Sequence, residues 1–200
     1  MRRHVVENGG HLAHKEDESM RRTFVLAIAV AICLTAAPAI AAGPNAVEWV
    51  ETDEMGAEFY LAAPRMAGDW MHMRYERHGE FTAQDGDGFS HAGYVGWTAA
   101  GKMKLDETHT FPVFGTFRAK GYYEFTEGPK EGVTCDLTLQ SKLVESPGAV
   151  PPFVFYGNQV AHCTDGSKIH GRILGPTAAG SEPMGFLQTV TGTLQAPRGK

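Results

Sequence analysis

Val133-Thr134-Cys135-Asp136-Leu137-Thr138-Leu139 alternates apolar and polar side chains without a break. A period of two puts Val133, Cys135, Leu137 and Leu139 on one face, and Thr134, Asp136 and Thr138 on the other. That is a strand with one face in a core and one in water. The same period recurs on both sides of it. Upstream, Trp70 to Arg77 separates Trp70, His72, Arg74 and Glu76 from Met71, Met73, Tyr75 and Arg77. Glu80 to Gln84 reads as strand, and Asp85-Gly86-Asp87-Gly88 as a hairpin turn. Phe89 to Ala99 and Lys102 to Leu105 follow as strands, then Thr108 to Thr126 as a longer pair broken near Pro112 or Gly121. Downstream, Phe153 to Cys163 and Ser167 to Leu174 join at Asp165-Gly166, and Met184 to Leu194 is the last strand. Asn45 to Ala63 has two readings. Asn45 with Glu48 fits a helix cap, while Val47, Trp49 and Glu51 fit an extended lead-in.

About eight short strands between turn signals predict an all-β fold: a single antiparallel β-barrel, with a β-sandwich as the alternative. A closed sheet of this size accommodates many inward aromatics. Composition agrees, since 42% hydrophobic residues build a core and 24 glycines in 200 residues favour turns over long helices.

The first 42 residues read as an address. Met20-Arg21-Arg22 is basic, Phe24 to Ala37 carries no charge, and Ala39-Ile40-Ala41 has the small residues of a cleavage site. The apolar run is shorter than the roughly 20 residues a membrane-crossing helix needs. The expected organisation is a non-structural extension over 1–19, a secretory signal peptide over 20–42, and one barrel-like domain over 43–200. The expected location is secreted, in a bacterial periplasm, with no membrane span after cleavage. Cys33 leaves with the signal, so Cys135 and Cys163 are expected to pair in an oxidising compartment.

Gly68-Asp69-Trp70 stands just before the first clear strand. It resembles the G-x-W of the lipocalins and their calycin relatives, where the tryptophan closes one end of an eight-stranded barrel. The resemblance covers these three residues and the strand count; the later T-D-Y-type loop of lipocalins has no match here.

Catalytic and metal motifs find little support. His162 and His170 are candidates to meet across the Asp165-Gly166 hairpin, but a pair is not a metal site, and none is expected. The Asp85 turn lacks the Gly and Glu of a calcium loop, Gly175 to Ser181 lacks the lysine of a phosphate loop, and no G-x-S-x-G occurs. No cofactor is expected. The net charge of −5 weighs against nucleic acid and anionic lipid as partners. What remains is an aromatic-rich barrel. The leading expectation is binding of a small apolar or amphipathic ligand, lined by Trp70, Met73, Tyr75, Phe117, Tyr123 and Phe155. A structural envelope module and a barrel enzyme using His and carboxylate groups (an isomerase, cyclase or hydrolase) are the alternatives.

Overall fold

A computed structural model describes residues 45–108, 112–148, 152–179 and 185–197. Residues 1–42, read as an extension and a signal peptide, lie outside the described residues. The strands are β1 (Ala46–Met55), β2 (Phe59–Tyr60), β3 (Arg65–Ala67), β4 (Trp70–Asp85), β5 (Ser90–Leu105), β6 (Pro112–Glu127), β7 (Thr134–Glu145), β8 (Phe153–Cys163), β9 (Lys168–Ala179) and β10 (Phe186–Gln195). Among the described residues there is no helix.

Each long strand pairs antiparallel with its neighbours in the order β1-β10-β9-β8-β7-β6-β5-β4, and β4 pairs back onto β1. The ring is therefore a closed eight-stranded barrel, and the sandwich alternative falls away. β2 and β3 lie outside it, both paired on β4. A walk across the ladders from Met55 passes Gly79, Val95, Tyr123, Cys135 and Cys163. It continues through Ser167 and Ala196 and returns to Asn45, ten residues before its start. Such a stagger tilts the strands against the axis and sets a bore that side chains can fill.

Of the two readings of Asn45 to Ala63 the extended one holds, and three other segments differ from the sequence reading. Asn45 to Ala63 holds β1, because Trp49, Glu51, Asp53 and Met55 all turn inward at a period of two. The two segments predicted over 70–84 are one strand of 16 residues, as are the two over 89–105. At Gly79 a Cβ would overlap the Glu54 carbonyl, so the missing side chain lets β1 lie against β4 where a break was read. The expected pair over 108–126 is also one strand. Pro112 opens it, where no ladder donor is required.

The larger of two buried clusters includes Trp49, Phe81, Val95, Trp97, Phe125, Leu137, Ile169 and Val190. Phe81 packs edge-on against Tyr123 and Phe125, with ring centroids 5.1 Å apart in both cases. Cys135 and Cys163 face each other across β7 and β8 and form the expected disulfide. The hairpin turns follow from their residues. The Asp85 carboxylate accepts from the Asp87 and Phe89 amides, and Gly88 takes the left-handed conformation with φ 87°. Lys130, buried in the β6–β7 turn, donates to Asp165 at 2.7 Å and Ser167 at 2.6 Å, tying that turn to the β8–β9 turn.

Candidate functional site

Two features stand out: a polar network sealed inside the barrel and a basic groove on its outer wall.

Inside, Trp49 Nε1 donates to Glu51 at 2.6 Å, and the Tyr123 hydroxyl donates to the other Glu51 oxygen at 2.5 Å. Gln159 donates to the Tyr123 hydroxyl at 2.6 Å, and Gln188 donates to Asp53 at 2.5 Å. Glu51, Asp53, Tyr123, Gln159 and Gln188 are each at most 2% exposed. Burial first, then the negative charge of Glu51, raises the Asp53 carboxyl well above the usual carboxylate range. Burial, followed by the charges of Glu51 and Asp53, also raises the Tyr123 phenol. The network bonds β1, β6, β8 and β10 together within the barrel. Its groups are closed off from solvent by their own packing, which suits cross-linking rather than contact with a substrate.

Four of the predicted ligand-binding residues meet near the other end of the barrel. Met73 and Phe117 are buried with Leu143, and Tyr75 and Phe155 pack against them half-buried. The Tyr75 and Phe117 rings lie edge to face at 6.2 Å. Phe117 and Phe155 each lie against a glycine of a neighbouring strand. A Cβ at Gly101 would overlap the Phe117 ring, and one at Gly175 would come within 2.5 Å of Phe155 Cζ. Beside them, Arg77 donates to the Gly56 carbonyl at 2.9 Å, pairs with Glu58 at 2.7 Å and lies over the Phe186 ring. Burial, then the Glu58 charge, pushes the Tyr60 phenol up to about 12 and the Tyr75 phenol higher still.

The other two predicted residues go elsewhere. Tyr123 belongs to the sealed network. Trp70 points outward, where it stacks edge-on with Phe114 and carries the Lys102 ammonium 4.8 Å over its ring. It does not close the barrel end as the lipocalin resemblance implied. His162 pairs with Lys168 and His170 with Val160, so the two histidines are diagonal neighbours. Burial, then the charges of His162 and Lys168, lowers the His170 pKa. The buried His91 contacts Asp85 at 3.0 Å and packs on Trp49, in the β4–β5 turn.

Lys102 also lines a groove of about 900 Å³ on the outer wall of β4 to β9. A twisted barrel narrows at its waist, so its outer surface is concave along the strands although convex around them. Ala100, Thr116 and the backbone at Gly101 and Gly157 form part of the floor, with long side chains standing around them. Lys102, Arg118, Lys142 and Arg172 supply four positive charges, and His72 sits at one side. Among the described residues lining it, none is Asp or Glu. Carboxylates gather on another wall instead: Glu54, Glu80 and Glu127 line a smaller groove of about 300 Å³ over β1, β4, β5 and β6. The net charge of −5 thus conceals a separation of charge. Sequence reasoning missed the four cations because they stand far apart in the chain, one on each of four strands. Summing charge over only the outward positions of each strand would have shown them.

No protein-family model, no curated protein and no solved structure matches this chain.

Proposed function

We propose that this chain is an extracytoplasmic binding protein that holds an amphipathic anion in the groove on its outer wall. The observation that carries the reading is the groove's lining: Lys102, Arg118, Lys142 and Arg172 around a concave floor, without a carboxylate among the described lining residues. Like charges held together on one wall repel each other, and an anionic ligand relieves that repulsion. Tyr156 and Leu174, 44% and 37% exposed, add apolar surface beside the charges. The disulfide fits an oxidising compartment, which supports the extracytoplasmic part of the reading. A seat inside the barrel is less favoured, since Phe117 and Phe155 already occupy the end where Met73 and Tyr75 gather.

Native mass spectrometry of the protein purified from its own compartment tests the reading. Wild type is expected to carry excess mass that is lost on denaturation and absent from an Arg118→Glu/Lys142→Glu variant. Equal excess mass on both proteins would place the ligand elsewhere and refute it.

A further inference from the structure

We infer that the ligand of the outer groove is an acidic polysaccharide, a chain of sugar rings bearing carboxylates; this rests on the groove being an anion site.

The argument begins with the register. Two adjacent rows cross the wall. In one, Lys102, Thr116, Lys142 and Tyr156 stand on successive strands β5 to β8. In the next, Arg118, Gln140, Asn158 and Arg172 stand on β6 to β9. Neighbouring strands lie about 4.8 Å apart, so Lys102 and Lys142 are about 10 Å apart at the backbone, and Arg118 and Arg172 about 14 Å. Long side chains let adjacent cations share one anionic head, but the four are spread over β5 to β9. A ligand satisfying all four cations repeats its charge.

What stands between the cations narrows the class. Thr116 separates the two lysines, and Gln140 and Asn158 separate the two arginines. A hydroxyl and two amides are donors and acceptors suited to sugar hydroxyls. Arg and Lys suit carboxylates, Arg through its paired N–H groups. Each uronate residue offers both a carboxylate and hydroxyls, and one pyranose is about as long as the strand spacing. Tyr156 presents a partly exposed ring for the C–H face of a sugar. A single-stranded nucleic acid calls for a series of aromatic platforms under successive bases. Here the exposed aromatic among the described lining residues is Tyr156 alone.

The test is titration calorimetry at low ionic strength with hexagalacturonate, compared with galacturonic acid, neutral maltohexaose, a thymidine oligonucleotide and dodecyl phosphate. Hexagalacturonate is expected to bind with an affinity that falls as salt rises. The monomer is expected to bind at least tenfold more weakly, and maltohexaose not at all. Arg118→Glu/Lys142→Glu is expected to weaken hexagalacturonate at least tenfold while circular dichroism and thermal midpoint stay as in wild type. The conservative Arg118→Lys/Lys142→Arg variant is expected to retain binding. Tighter binding of the oligonucleotide or dodecyl phosphate, abolished by charge reversal, would overturn the polysaccharide assignment and leave the anion groove standing. No binding of any anion, or binding that survives charge reversal, would overturn both.

Discussion

Tyr123→Phe probes the sealed network with the removal of one oxygen. That oxygen donates to Glu51 at 2.5 Å and accepts from Gln159 at 2.6 Å. Without it, Glu51 keeps the Trp49 indole donor. Gln159 fares worse. Its Oε1 already lacks a hydrogen-bond partner among the described residues, so the substitution leaves both ends of a buried amide unpaired. A hydrogen bond to a charged group contributes about 1.5–3 kcal/mol, and a stranded buried group costs about 1–3 kcal/mol. The two effects overlap, so about 3 kcal/mol is expected. In a domain of this size that is a fall in thermal midpoint of roughly 6–12 °C. Thermal unfolding by circular dichroism, with the disulfide kept oxidised, reads it directly. Tyr122→Phe is the control: its neighbouring hydroxyl faces outward, 3.3 Å from His78, and its loss is expected to change stability by at most about 0.5 kcal/mol. Tyr123→Phe/Gln159→Leu is expected to recover part of the loss, because removing both partners leaves no stranded amide between them. Equal, small effects of the two tyrosine substitutions would refute the reasoning that these groups are closed to water.

Other outcomes follow from the same physics. Asp53 has a raised folded pKa, so its stabilising contribution is complete below about pH 4, its unfolded range, and is lost as pH climbs toward the folded value. Asp53→Asn keeps a donor without a titrating proton; urea unfolding is expected to show it gaining on wild type from pH 4 to 8, and a constant difference would contradict this. Asp165 behaves oppositely. Burial raises its pKa, but the hydrogen bonds from Lys130 and Ser167 outweigh burial and lower it. Its contribution is present above about pH 4 and lost as pH falls through the lowered value, so the destabilisation by Asp165→Asn is expected to fade between pH 5 and 2. Removing the disulfide with Cys135→Ala/Cys163→Ala opens a cross-link of sequence separation 28. Chain entropy puts the cost at about 3–4 kcal/mol, and a change below 1 kcal/mol in chemical unfolding would contradict that account.

The barrel was legible because alternation is local. Val133 to Leu139 reads as a half-buried strand from seven residues, and the Asp85 and Asp165 turns announce themselves by Asp-Gly. Strand lengths were less legible. A break was read between Arg77 and Glu80, yet Gly79 is the place where β1 approaches β4, a contact between residues distant in the chain. Nothing local to Glu51 and Asp53 marks them as buried carboxylates. Only the strand parity set by Trp49 and Met55 turns them inward, and only the closed ring brings Tyr123, Gln159 and Gln188 to meet them. Of the predicted ligand-binding set, Met73, Tyr75, Phe117 and Phe155 did come together, because aromatic and sulfur-bearing side chains at inward positions near one end of a barrel have nowhere else to pack. Trp70 lies apart from that group, on the outward face its parity with His72 and Arg74 marks. The basic wall escaped notice because total charge averages over the surface. Lys102, Arg118, Lys142 and Arg172 become neighbours only through the register of β5 to β9.

The chain's three tryptophans offer the most direct test of where a ligand binds. Trp70 lies beside Lys102 at the groove, whereas Trp49 and Trp97 are buried in the core. Their indole N–H signals in a nitrogen-15 correlation spectrum can be followed as hexagalacturonate is added. The account expects the Trp70 signal to move with ligand concentration while those of Trp49 and Trp97 stay in place. Movement of the Trp49 signal with Trp70 unchanged would put the ligand inside the barrel and contradict it.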